Sequence, residues 1–346
     1  MSLKNLLEIN DCGIYCSQAD VYIDPWKPVP KALITHAHGD HARSGNKFYL
    51  AHQQSEQVLR LRLGQDIKLQ TVTYGEKVTI NGVGISFHPA GHITGSAQIR
   101  LEHEGQVWVA SGDYKTEKDK TCTPFEPVTC HTFITESTFG LPIYNWRPQQ
   151  EIFQEISEWW RINREEGFTS LLCGYSLGKA QRLLANVDEH IGPILLHGAV
   201  YNVCEALKQD GLQLPPYERL SQDTPKSQIS GSLVIAPPSA LNTPWMNKLK
   251  PVRTAIASGW MNLRGAKRRR AVDRGFVLSD HADWEGLNTA IKQTGAERVL
   301  VTHGYTAAFS RWLQTQGYEA QEVHTLYTGE LGEINESEEI RSESES

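Results

Sequence analysis

No run of 18 consecutive apolar residues occurs in this 346-residue chain, which excludes a membrane-spanning helix. The opening MSLKNLLEINDCG lacks the long apolar stretch and small-residue cleavage site of a signal peptide, so a cytoplasmic protein is expected. The cysteines Cys12, Cys16, Cys122, Cys130, Cys173 and Cys204 include no C-x-x-C pair. That removes the zinc ribbon and the dithiol redox motif, and leaves free buried thiols as the expected state. Strong charge is also lacking. The net charge is −6, but residues 331–346 hold six glutamates and one arginine, so the rest of the chain is close to neutral. This Ser/Glu-rich tail has almost no apolar residues and is expected to be disordered. On a near-neutral body, any nucleic-acid contact must come from local basic clusters.

Against these absences stands a dense histidine motif. Lys31 to His41 reads K-A-L-I-T-H-A-H-G-D-H, an apolar strand that delivers His36, His38, Asp40 and His41 within six positions. Imidazoles crowded this closely need partners for their polar edges and repel one another when charged. A divalent cation satisfies both demands. His36 and His38 are two apart and face the same side of an extended segment, whereas Asp40 and His41 face differently and suit a second ion. The bland alternative is a polar surface loop. Asp24, ahead of Pro25, is either a turn former or an acceptor for a ligand histidine.

Further along, residues 52–64 read as an amphipathic helix ended by Gly64, followed by strands near 69–73, 77–80 and 83–87. In H-P-A-G-H-I-T-G-S, Gly91 and Gly95 bracket His92, the candidate third histidine for the first ion; His88, at a strand end, is the structural competitor. The strand 106–110 runs into Asp113, a carboxylate placed to bridge two cations, and the strand 132–135 delivers Glu136. G-F-V-L-S-D-H-A-D at 275–283 reads as a strand ending in His281, flanked by Asp280 and Asp283, and E-R-V-L-V-T-H-G at 297–304 repeats the strand-to-histidine delivery at His303. Polar residues brought repeatedly to strand ends imply a site along one sheet edge.

Between about 143 and 272 the pattern changes to alternating helices and strands, a small α/β unit with a parallel sheet. Its G-Y-S-L-G-K-A turn is no P-loop: Gly174 and Gly178 are one residue too close, and Ala180 replaces the magnesium-binding hydroxyl. What remains is a helix N-terminus with Ser176 and Lys179, able to hold one phosphate, or else an ordinary cap with a solvated lysine. The segment 260–270 is the densest basic cluster, with Arg264, Lys267, Arg268, Arg269 and Arg270 near Trp260, and suits phosphate contact.

Taken in order, H-A-H-G-D-H, G-H-I-T-G-S, S-G-D, Glu136, S-D-H-A-D and T-H-G resemble the motif series of the metallo-β-lactamase/β-CASP nucleases, across nearly the whole chain to about residue 330. T-F-G-L-P-I-Y-N-W, G-Y-S-L-G-K-A-Q, L-H-G-A-V, A-S-G-W-M and L-S-D-H-A-D-W look like the bacterial DNA ligase-associated exonucleases.

The resemblance implies an α/β fold: a metallo-β-lactamase αββα sandwich (1–142 and 273–330) with an inserted β-CASP α/β cap (143–272). It implies two divalent ions, zinc or alternatively manganese. His36, His38 and His92 would hold the first, Asp40, His41 and His303 the second, with Asp113 bridging. Asp40, His281 and Glu136 would be catalytic, His281 protonating the leaving oxygen or holding the scissile phosphate. Ser176, Lys179, Arg264 and Arg268 would bind substrate.

The implied activity is a DNA exonuclease acting on single-stranded or duplex ends in repair, functionally associated with a DNA ligase and a helicase. An RNA-processing ribonuclease is the alternative, favoured by a histidine at the last motif. The insertion and the basic cluster argue against a small-molecule hydrolase, and the complete ligand set argues against a catalytically dead binding subunit.

Overall fold

The computed structural model describes residues 5–263 and 271–327. Arg264, Lys267, Arg268, Arg269, Arg270 and the acidic tail lie outside the described residues. The chain divides into two compact units: residues up to 145 together with those from 281 onward, and the intervening stretch Trp146–Asp280.

The first unit is built on two sheets. Strands Glu8–Asn10, Gly13–Cys16, Val21–Ile23, Lys31–Ile34, Phe48–His52 and Leu69–Val72 form the first, in chain order. The second contains Lys77–Ile80, Val83–Pro89, Ala97–His103, Gln106–Ala110, Thr132–Ser137, Arg298–Gly304 and Glu319–Glu322, adjacent in that order. Strand alternation explains how the second sheet holds two cores. Trp108, Ile134 and Leu300 point toward the first sheet, joining Ile14, Ile23, Leu33 and Leu50. Their neighbours Val109, Phe133 and Val299 point the other way, onto Leu287 and Ile291 of the helix Trp284–Thr294 and Phe309 and Leu313 of the helix Thr306–Thr315.

In the second unit a six-stranded sheet is parallel throughout. Its inner strands Thr169–Cys173, Ile194–Leu196 and Leu233–Ala236 are buried on both faces, as a parallel sheet covered on both sides requires, while the edge strand Glu218–Arg219 is charged and exposed. Leu172, Ile235 and Ala255 face a core shared with the helix Gln149–Glu165. Leu171, Val234 and Ile256 face the opposite core. That helix buries Ile152, Phe153, Ile156, Trp159 and Trp160, the stripe a 3.6-residue period produces.

Three sequence-based boundaries move. His52 closes the strand Phe48–His52, and the α-helix expected from 52 begins only at Glu56, because the ladder with Leu69–Val72 reaches His52. The strand expected to end in His281 covers only Arg274–Phe276, because its pairing with Val252–Ala257 runs out there. Glu136 lies inside the strand Thr132–Ser137 rather than beyond it. All six cysteines are free thiols. Among the described residues no helix is long and apolar enough to cross a membrane.

Phe133 is completely buried between sheet and helices. Phe133→Ala should therefore lower unfolding free energy by about 3–5 kcal/mol, read as a fall in the urea midpoint with unchanged slope.

Candidate metal centre

Each candidate ligand reaches the centre from a strand end of the first unit. The strand Lys31–Ile34 stops two residues before His36, and its neighbour Asp24 follows Val21–Ile23. Asp24 adopts a left-handed conformation, φ 42°, uncommon outside glycine and tolerated best by Asp and Asn. There its carboxylate accepts from Thr35 N at 2.8 Å and from the Thr35 hydroxyl. It also meets His41 Nδ1 at 2.8 Å. Thr35 Oγ1 in turn lies 3.0 Å from His36 Nδ1. With the hydroxyl donating to Asp24, its oxygen is left to accept from His36 Nδ1–H. One buried carboxylate thereby fixes the tautomer of two imidazoles, turning the lone pair of each Nε2 inward. Of the two readings open for Asp24, the structure selects the acceptor for a ligand histidine.

The same device recurs at the other end. Thr302 Oγ1 donates to Thr135 O at 3.0 Å and lies 3.3 Å from His303 Nδ1. A register shift between Thr135↔Val301 and Ser137↔Gly304 inserts one extra residue in that strand. Such bulges re-aim side chains next to sites, and here His303 Nε2 reaches 2.8 Å from Asp113 Oδ1.

Asp113 is the hub. Its Oδ2 lies 3.6 Å from both His36 Nε2 and His41 Nε2, 3.8 Å from His92 Nε2 and 4.0 Å from His281 Nδ1. Gly112 and Gly91, each preceding a candidate ligand, have positive φ. A Cβ on Gly112 would come within 2.6 Å of Thr35 Oγ1, and one on Gly91 within 2.3 Å of Lys115 O. Only glycine lets the backbone pass that closely.

The structure gathers all nine predicted metal and catalytic residues in the first unit. His36, His38, His92 and Asp113 form one group whose donor atoms converge; His41, Asp113 and His303 form another; Asp113, Glu136 and His281 a third. Asp40 Oδ2 stands 3.8 Å from His41 Nε2. His88, by contrast, bonds Ser86 within its strand.

The electrostatics are those of a cation site. Burial, then the neighbouring His41, drives the His36 pKa well below its usual value. Burial also opposes charge on His41, yet Asp40, Asp113 and Asp24 outweigh it and lift its pKa to about 10. Burial would raise the Asp113 carboxyl, but His41, His303 and His281 hold it well below the carboxylate range. Among the described residues, His36 Nε2 and His41 Nε2 are buried with no hydrogen-bond partner. The inward lone pair of His36, and that of His41 once its Nε2 proton leaves, beside an anionic hub fit a divalent ion, which a thiol-free set of imidazoles and carboxylates binds well.

A protein named "Probable DNA ligase" from Opitutus terrae is 30% identical over 332 residues, covering 95% of this chain and 32% of its own length. "Endoribonuclease YSH1" from Saccharomyces cerevisiae is 30% identical over 125 residues, 36% of this chain and 16% of that protein. "Cleavage and polyadenylation specificity factor subunit 3-I" from Arabidopsis thaliana is 25% identical over 233 residues, 55% of this chain and 33% of that protein. The chain belongs to the metallo-β-lactamase/β-CASP family. It spans at most 33% of the length of these three relatives. No protein-family model matches it. A crystal structure of a protein of unknown function from Enterococcus faecalis V583 superposes with TM-score 0.56 at 11% identity, over 78% of this chain and 74% of that one. The relatives imply the metallo-β-lactamase fold for this mixed α/β chain.

One of the residues expected to bind substrate, Lys179, sits differently from the expectation. The helix Lys179–Asn186 has its first amide engaged, Gly178 N donating to Gln181 Oε1 at 2.7 Å. Ser176 is half-buried in the preceding loop. Lys179 is fully buried, its Nζ 3.2 Å from an Asp280 carboxylate that Arg182 Nε also meets at 2.9 Å. The ammonium that sequence reasoning offered to a phosphate faces a protein carboxylate instead. Nothing in the local sequence signals this, because the partner lies about a hundred positions away. Removing one member of a buried pair strands the other charge, so Lys179→Ala should cost about 3–5 kcal/mol of stability. A solvated lysine would cost almost nothing, and urea unfolding separates the two.

Proposed function

We propose that this chain is a metal-dependent phosphodiesterase that degrades DNA from its ends, in the cytoplasm, as part of repair. The observation that carries the reading is Asp113 lying within 4 Å of His36 Nε2, His41 Nε2 and His303 Nε2, three buried ring nitrogens with no hydrogen bond among the described residues. His36, His38 and His92 would hold one ion and Asp40, His41 and His303 a second, zinc or manganese, with Asp113 shared. Divalent ions bound there would lower the pKa of a water and offset charge on the phosphoryl oxygens.

The rest of the work belongs to the chain. His281 Nδ1 lies 2.8 and 3.0 Å from the two Glu136 oxygens. Glu136 is completely buried and also accepts from Tyr114 N at 2.8 Å, which fixes its orientation. A carboxylate held this way steadies an imidazolium, leaving Nε2–H to be given to the leaving 3′ or 5′ oxygen. We assign the first unit as the metallo-β-lactamase domain and the second as the β-CASP domain. The 95% alignment to a relative named as a DNA ligase favours DNA, with a ligase and a helicase as functional associates. His303, and relatives named endoribonuclease, favour RNA as the second reading.

Cleavage of matched end-labelled DNA and RNA oligomers tests the substrate. Faster loss of DNA supports the first reading, faster loss of RNA the second. Asp40→Ala and His281→Ala should each abolish cleavage in protein that unfolds with a cooperative, near-wild-type transition. Wild-type rates in either would remove that residue's assignment.

A further inference from the structure

We propose that Tyr327 is a positioning residue for the His41–His303 half of the centre, and that occupancy of this half depends on its ring. The inference rests on the reading that the cluster holds two divalent ions. Tyr327 lies outside every motif in sequence, at the end of the described chain, and is half-buried. Its ring stacks on His41, with centroids 4.5 Å apart and planes 11° from parallel. It meets His303 edge-on at 5.7 Å and Trp26 edge-on at 5.7 Å. Its hydroxyl donates to Asp24 O at 3.1 Å.

Three of these four partners belong to one half of the centre: two are imidazoles assigned to the second ion and one is the residue that meets His41 Nδ1. The fourth, Trp26, meets the ring edge-on. His36, His38 and His92 pack their rings on one another, with centroids 4.8–4.9 Å apart. Asp24 fixes His41 at Nδ1, and the flat stack on one face further limits tilting of that ring; the edge contact restrains His303 in the same way. Ligand rings preset in this way lose less freedom when an ion binds. The segment itself is tied down by Arg43 Nη2 donating to Leu326 O at 2.9 Å and by Val323 N donating to Val301 O at 2.9 Å.

The test is a titration of metal-free protein with cobalt(II), following the visible absorption of each equivalent, with metal content checked after dialysis. In wild type two equivalents should bind. Tyr327→Phe keeps the ring and should bind both like wild type. Tyr327→Leu should bind the first normally and the second about 10–100-fold more weakly. Leu326 is an exposed side chain; Leu326→Gly loosens the same segment without touching the core and should weaken the second equivalent only, by less. That variant carries the test if Tyr327→Leu folds poorly.

Unchanged affinity for both equivalents in Tyr327→Leu and Leu326→Gly overturns the inference. So does parallel loss of both equivalents, which would mark a general structural role. A wild-type protein that binds fewer than two equivalents overturns the two-ion reading and this inference with it. Two equivalents in wild type with no selective loss in the variants overturns this inference alone.

Discussion

A single buried carboxylate organises the centre before any ion arrives. Asp24 accepts from the Thr35 amide and hydroxyl and from His41 Nδ1, and through Thr35 it also orients His36. Without it, two imidazoles buried at the end of the Lys31–Ile34 strand would each choose between tautomers and orientations. In a low-dielectric interior an unoriented polar group is costly. The left-handed turn at Asp24 and the close approach of Gly112 to Thr35 follow from this one demand. The sheet supplies the address, and the Asp–Thr–His relay supplies the direction.

The charge arrangement is consistent with that view. Packing His36, His38, His41 and His92 together is tolerable only if they do not all carry protons. Burial keeps His36 neutral, whereas the three carboxylates around His41 keep it charged in the metal-free protein. A divalent ion bound at His41 would take the place of that positive charge and release the proton. Asp113 remains anionic in either state, because the surrounding imidazoles offset what burial costs it.

The candidate site was far more legible in the sequence than its supports were. Histidines at strand ends announce themselves because an apolar run followed at once by H-x-H-x-D-H has few uses, and the T-H pair recurs at 35–36 and 302–303. The threonines that make those pairs work were visible but silent, since their role depends on which oxygen lies across the ladder. Asp24 could be read two ways because local sequence shows its turn and hides its partner 17 positions on. Strand boundaries slipped where a neighbouring strand, not local propensity, decided where pairing stopped, as at His52 and Phe276. Tyr327 was illegible, its hydroxyl partner being 303 positions away with no motif around it.

Lys179 shows the same limit from the other side. In S-L-G-K-A-Q-R its setting resembles a helix start that offers a lysine to an anion, and the anion it meets is Asp280. Asp280 is the residue immediately before His281, and His281 is held by Glu136. Consecutive residues are thus each fixed by a buried charged partner, Asp280 by Lys179 and Arg182, His281 by Glu136. Buried ion pairs contribute little net stability compared with apolar packing of the same volume. Their physical value here is directional: a carboxylate gripped by two cations cannot slide, so Asp280 is held in register with the helix Lys179–Asn186 of its own unit. That explains why a lysine and an arginine are buried in a helix that also buries Ala180, Leu183 and Leu184.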